Sequence, residues 1–309
     1  MISIVAAPTN LGLRPPQATS VPGGAKAPDA LREAGLYRRL EAAGAEDDGV
    51  VIAGRYVDDV LPGSGRVRNQ DALVDYTVRL AGRIGGIISR GRAPLVLGGD
   101  CSVLLGAGVA LARAGRYGLV HVDGHTDFRH PGNSDQCASV AGEDLAAAVG
   151  LHLPEVSDIE GLRPYFLPQH VVHVGCRDDD EGTTEATQTL AAVIPARQVV
   201  SDPDGTLSLI RKALAAQDLE GYWLHVDVDV LDPAFMPAVD SPDPGGLNPQ
   251  QLITLLGELA ADAVGAAVCI LDPDLDPDGS CAQLVADVTY EALSDLGAAR
   301  TTVVDPELG

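Results

Sequence analysis

Basic residues are scarce in this chain: 21 Lys and Arg face 44 Asp and Glu among 309 residues, a formal net charge of −23. Such a charge repels phosphate backbones and anionic lipid headgroups, so nucleic-acid and membrane-surface roles are not expected. What remains is a neutral or cationic small molecule, or a metal. Cysteine is also sparse. Cys101, Cys137, Cys176, Cys269 and Cys281 are odd in number and include no CxxC pair, which argues against a secreted disulfide framework and for a reducing compartment. No basic segment precedes the short apolar run near the N-terminus, and no apolar stretch of about 18 residues follows. Neither a signal peptide nor a membrane span is expected, and the predicted location is the cytoplasm. No Pro/Gly/Ser linker, repeat or low-complexity block divides the sequence, so residues 1–309 read as a single domain.

What the chain does contain is alternation. Short apolar runs bounded by Gly, Pro and Asp fall at Ile2–Ala6, Val50–Ala53, Pro94–Leu97, Gly118–Val122, His170–Val174, Arg197–Val200, Tyr222–Val228 and Ala266–Leu271. Between them, Ala/Leu-rich spacing predicts helices near 70–90, 102–114, 142–149, 183–193, 205–216, 249–262 and 280–296. This is the pattern of βαβ units, and it predicts an α/β fold with a parallel sheet of eight strands. The loops around 56–68, 129–141 and 232–248 are candidate rims of a site at the carboxyl ends of the strands.

Three of the runs end in unusual chemistry. Leu97-Gly98-Gly99-Asp100-Cys101-Ser102 is a strand stopped by two glycines and followed by a polar cluster. By itself this is compatible with a plain turn and helix cap. In Asp123-Gly124-His125-Thr126-Asp127, an extended backbone would turn Asp123, His125 and Asp127 to one side. Asp227 and Asp229 likewise alternate with Val226, Val228 and Val230, placing two carboxylates on a strand that otherwise reads as buried. Unpaired carboxylates there would be very costly, and a cation resolves the cost. Four Asp, one His and one Cys suffice for two metals bridged by Asp123 and Asp227. Such a pair lowers the pKa of a shared water and supplies a nucleophile for an sp² carbon.

GGDCS, DGHTD and DVDVLDP, in that order, resemble the GGDHS, DAHxD and DxDxxDP motifs of the ureohydrolase (arginase/agmatinase) family. Supporting segments are Gly23 to Leu36, His173 to Asp180, and PAVDSPDPGGL from Pro237 to Leu247, which is similar to PATGTPxxGGL. The resemblance implies a three-layer α/β/α domain with an eight-stranded parallel sheet, trimeric or hexameric assembly, and a binuclear Mn²⁺ centre that hydrolyses guanidino or amidino C–N bonds. It assigns one ion to Cys101, Asp123, Asp127 and Asp227, and the other to Asp123, His125, Asp227 and Asp229. Cys101 stands where most members have His. Its softer thiolate opens the site to zinc, iron or cobalt.

Two further departures concern substrate. Ala141 falls at the histidine of the family's NLHG-like segment, and Ile270 falls at the glutamate of its EVNP segment, which holds the guanidinium. The expectation is therefore a metal hydrolase of non-standard specificity, acting on a guanidino, hydroxyguanidino or amidino compound. The alternatives are a formimino or amide substrate, or a non-catalytic metal-binding relative. Asp127 and His130 are the catalytic candidates, with His130 a replacement proton shuttle. Arg129 is a candidate for a substrate carboxylate, and Glu143, Asp180 and Asp240 for its cationic end. A plainer alternative leaves each of these loop residues simply solvated.

Overall fold

The computed structural model describes residues 1–60, 64–215 and 219–300. Parts of three expectations lie outside the described residues: 61–63 in the 56–68 loop, 216 at the end of the 205–216 helix, and 301–309 of the single domain. Eight strands form one sheet: β1 (Ile2–Ala7), β2 (Glu46–Val50), β3 (Ala93–Gly98), β4 (Gly118–Val122), β5 (Val171–Val174), β6 (Ala192–Ile194), β7 (Tyr222–Asp227) and β8 (Gly265–Cys269). Their order is β2-β1-β3-β8-β7-β4-β5-β6, and every neighbouring pair is parallel.

This order dictates the layers. Crossovers between parallel strands are right-handed, so connections running in opposite directions along the sheet lie on opposite faces. The steps from β2 to β3, β3 to β4 and β4 to β5 run one way, and those from β6 to β7 and β7 to β8 run the other. Accordingly Gln70–Ser89 packs on Val103–Ala114, which packs on Asp144–Ala148, whereas Pro249–Ala260 packs on Ser280–Leu293. The result is a three-layer α/β/α architecture. Direction reverses between β3 and β8 and again between β7 and β4, which opens a crevice at their carboxyl ends.

The central strands are covered on both faces. Every residue of β1, β3, β4, β5 and β8 is buried, and each fully buried Val or Leu contributes roughly 1.5–3 kcal/mol of transfer free energy. The two outermost strands differ from the sequence expectation. The run Val50–Ala53 touches β2 only at Val50; the strand itself is the exposed segment EDDGV. Its acids pair with arginines: Glu46 with Arg92 at 2.8 Å, Asp47 with Arg32 at 2.8 Å and Asp48 with Arg90 at 2.7 Å. At the other end the strand is Ala192–Ile194, while Arg197–Val200 lies in the helix Ala196–Ser201 that follows Pro195. Backbone pairing to one neighbour suffices at an edge, so hydrophobicity marks these strands poorly.

Candidate functional site

The glycines after β3 do a specific job. A Cβ on Gly99 would sit 1.8 Å from the Thr9 carbonyl oxygen, so only glycine lets the loop pass and allows the Asp100 amide to donate to that oxygen at 3.1 Å. The Asp100 carboxylate accepts from the Ser102 amide at 2.9 Å and the Gly12 amide at 3.1 Å. The turn is thereby tied to the chain after β1, and Cys101 is fully buried with its Sγ 3.0 Å from Asp227 Oδ2.

The acidic residues converge through turns, not through the extended strands expected from their spacing. β4 ends at Val122; Asp123 Oδ1 accepts from the His125 amide at 2.7 Å, and Asp127 has a positive φ of 48°. β7 ends at Asp227, whose Oδ1 accepts from the Asp229 amide at 2.8 Å within a short 3₁₀ turn. Asp229 Oδ1 accepts from the Gly124 amide at 3.0 Å, and Oδ2 lies 2.9 Å from His125 Nδ1. His125 Nε2 faces Asp243 Oδ2 at 3.2 Å. Buried Arg177 braces the turn by donating to the carbonyls of Asp229 and Asp243 at 2.9 and 2.8 Å.

Carboxylates this close cannot all ionise without a countercharge. Burial first, then mutual repulsion, holds Asp123, Asp127 and Asp227 well above the usual carboxylate range. Burial opposes charge on His125 as well, but the Asp229 pair overrides it and pushes the imidazole up to about 11. Asp229 is correspondingly held down against its own burial. Burial, Cys269 and Asp227 push the Cys101 thiol up. Asp123 Oδ2 is buried without a hydrogen-bond partner among the described residues. An orphaned carboxylate oxygen among Asp, His and Cys donors fits a divalent cation.

Beneath this floor lies a second polar layer that the sequence reading did not assemble. His121 on β4, His173 on β5 and His225 on β7 occupy one register across adjacent strands, all fully buried. Nδ1 of His121 and His173 are 3.0 Å apart, and the rings of His121 and His225 stack at 5.1 Å. Burial holds His121 down to about 4 and the other two well below the usual range. Asp144 places Oδ1 3.4 Å from His121 Nε2 and Oδ2 3.5 Å from His225 Nε2; among the described residues neither oxygen has a hydrogen-bond partner. Cys269, which pairs in register with Asp227, sits beside this row.

Above the floor is a cavity of about 290 Å³, lined by His125, Asp127, Asp227 and Asp229 at its base. Of the substrate candidates, Arg129, Asp180 and Asp240 line its wall, together with Ala141 and Ile270. Asp180 Oδ2 accepts from the Thr126 amide at 2.9 Å. Crowding by protein, then the Asp229 charge, holds Asp240 up to about 6, although much of its side chain reaches solvent at the rim.

Two candidates are not brought to the cavity. Glu143 turns inward, where Oε1 accepts from the Ala138 and Ser139 amides at 2.9 and 3.1 Å and Oε2 meets His152 Nε2 at 3.0 Å. Its carboxylate is consumed in shaping the 129–141 loop, which corrects the substrate-binding expectation. His130 is also corrected as a proton shuttle. Its Nε2 meets Glu185 at 3.1 Å, its Nδ1 accepts from the Gly132 amide at 3.1 Å, and it is not among the lining residues. The wall also holds Arg14 and Glu181, which sequence reasoning missed because isolated loop charges carry no periodic signal. Ile270 has φ 77°, a costly conformation for a β-branched residue, and its amide donates to the Gly99 carbonyl at 2.7 Å.

Comparison with known proteins gives a consistent result. Residues 1–294 match the Arginase family. An arginase from Bacillus caldovelox is 33% identical over 253 residues, covering 80% of this chain and 82% of the relative. The native structure of Bacillus caldovelox arginase aligns with a TM-score of 0.83 and 29% identity, over 96% of this chain and 97% of that one. Proclavaminate amidino hydrolase from Streptomyces clavuligerus shares the fold at a TM-score of 0.71 and 23% identity, over 96% and 92% of the two chains.

Proposed function

Because this chain belongs to the arginase family, we propose that it is a metal-dependent hydrolase of a guanidino or related amidino C–N bond with non-standard specificity. The observation that carries the reading is one cavity with His125, Asp127, Asp227 and Asp229 at its base and Arg129, Asp180 and Asp240 on its wall. Two divalent ions, Mn²⁺ by family or Zn²⁺, Fe²⁺ or Co²⁺ in view of Cys101, would be held by Cys101, Asp123, Asp127 and Asp227 and by Asp123, His125, Asp227 and Asp229. When bound, such a pair lowers the pKa of water toward neutrality and provides a nucleophile.

The chain's own residues supply the rest. Asp243 Oδ2 faces the other ring nitrogen of His125, Nε2, and orients the imidazole. Asp127 lines the cavity, where its carboxylate can take up the proton that the nucleophile gives up. That makes it the group placed to pass a proton to the departing nitrogen as the C–N bond breaks. Arg129 and Arg14 offer guanidinium groups to a substrate carboxylate, and Asp180 and Asp240 face its cationic end. A zwitterionic small molecule, carrying an acid at one end and an amidino group at the other, matches both charges. Assembly as a trimer or hexamer, as the family resemblance implies, belongs to the same proposal.

The test is a screen. Protein reconstituted with Mn²⁺, Fe²⁺ or Zn²⁺ is assayed for urea, hydroxyurea, formamide and ammonia release from guanidino, hydroxyguanidino and formimino compounds. Urea from a guanidino acid, lost in Asp127→Asn, supports the proposal. Formamide or ammonia from a formimino or amide compound favours the second reading, which Ile270 and Ala141 on the cavity wall support because neither offers a polar group to a guanidinium. No release from a fully metallated protein indicates a non-catalytic relative.

A pH dependence follows from Asp240. Its carboxylate attracts a cation when ionised, so kcat/KM should fall as pH drops through about 6. In Asp240→Asn this limb should disappear and KM should rise. An unchanged acid limb in the variant would remove Asp240 from substrate binding.

A further inference from the structure

We propose that Cys101, Cys269 and His225 form a thiolate-rich site for a soft or borderline divalent cation of the zinc class, with Asp144 as its carboxylate neighbour. The three donor atoms come from the carboxyl ends of β3, β8 and β7 and lie within 4.8 Å of one another, all buried. Cys101 Sγ is 3.0 Å from Cys269 Sγ, and Cys269 Sγ is 3.5 Å from His225 Nε2. Next in the chain of contacts is Asp144 Oδ2, 3.5 Å from His225 Nε2. Two sulfurs and an imidazole nitrogen in mutual contact are donors that an ion of the zinc class takes.

An independent observation points the same way. Among the described residues neither oxygen of Asp144 has a hydrogen-bond partner, in a residue with no exposed surface. A buried carboxylate left in that state is costly, and a cation among the neighbouring donors relieves it. The Asp144 carboxylate sits between Nε2 of His121 and Nε2 of His225, and of the two His225 is the one beside the thiols. His121 and His173 share a contact through their Nδ1 atoms, whereas His225 directs Nε2 at Cys269 and Asp144.

The inference rests on the metal-hydrolase reading for Cys101 alone, since that reading makes no use of Cys269, His225 or Asp144. Its consequence is that the ion bound by Cys101 keeps Asp227 on one side, 3.0 Å from the Cys101 sulfur, and gains Cys269 and His225 on the other. The two ions would then be chemically unlike. The one among Cys101, Cys269 and His225 favours soft metals, and the one at His125 and Asp229 remains in an oxygen-rich setting open to Mn²⁺.

Cobalt substitution tests it. Metal-stripped full-length protein is titrated with Co²⁺ and the sulfur-to-cobalt charge-transfer absorption is recorded for wild type, Cys101→Ser, Cys269→Ser, Cys269→Ala and Asp229→Ala. Circular dichroism confirms that each variant is folded. Two thiolates on one ion predict that either cysteine variant loses about half of the band, that Asp229→Ala keeps it, and that Zn²⁺ displaces it. Cobalt binding without the band, or a wild-type band unchanged in both Cys269 variants, overturns the site. Thiol titration of denatured, metal-stripped protein should find all five cysteines free; only three would mean a Cys101–Cys269 disulfide and would also overturn it. The band is read without substrate. Its persistence in a protein that hydrolyses nothing would sink the hydrolase reading alone, and its absence in an active two-metal enzyme would sink this inference alone.

Discussion

Asp227→Ala is expected to release both divalent ions and to lower turnover by at least about a thousandfold, because several kcal/mol of Lewis-acid stabilisation disappear at once. Asp227 stands between Cys101 and the Asp229 turn, so its loss reaches both proposed positions. Metal analysis after gel filtration should find the variant empty. Retention of two ions would exclude bridging by this residue. The stability effect has the opposite sign in the metal-free state. Asp227→Asn keeps an acceptor for the Asp229 amide but removes one charge from a crowded cluster. Its metal-free Tm should exceed that of metal-free wild type by a few degrees, and added Mn²⁺ or Zn²⁺ should no longer raise it. Since burial and neighbouring acids hold the Asp227 carboxyl above its unfolded value, it contributes stability that is present below the unfolded pKa and lost as pH rises through the folded one. The advantage of the Asn variant should therefore grow toward neutral pH and shrink in acid.

L-Arginine and agmatine are expected to be poor substrates, with kcat/KM about 10²–10⁴-fold below that of the true one. Leaving a desolvated cation without its charged partner costs roughly 2–5 kcal/mol. The wall carries apolar Ile270 and Ala141, which stand where the family resemblance places a glutamate and a histidine. Ile270→Glu tests the point from the other side. A straight-chain residue tolerates a φ of 77° better than a β-branched one does, and the new carboxylate would face the cavity. An increase of about tenfold or more in arginine turnover is expected. Efficient arginine or agmatine hydrolysis by wild type would refute the specificity claim.

The site was legible where its chemistry lay in a short stretch. Asp123, His125, Asp127, Asp227 and Asp229 could be found because charged residues interrupt runs that otherwise belong in a sheet core. Cys269, His225 and Asp144 could not. Their proximity to Cys101 follows from the placement of β8 between β3 and β7, and strand order is not written in local spacing. Glu143 and His130 failed for another reason. A residue in a long loop can point either way, and here backbone amides claimed one carboxylate while Glu185 and a glycine amide claimed the imidazole. The helices Gln70–Ser89 and Val103–Ala114 were readable because their apolar period is long and uninterrupted. The outermost strands β2 and β6 lacked any equivalent pattern.

Those outermost strands bear on how copies of the chain can meet. An open sheet ends in unpaired amides and carbonyls, which invite a neighbour to extend it. At one end the border is acidic, and its own arginines lie across it. At the other the strand is three residues long. Neither border is a good template for a second sheet, so continuous cross-molecule β-pairing is disfavoured even at high concentration. Any closed assembly would have to be built from helical faces and loops, leaving the eight-stranded sheet of each copy separate.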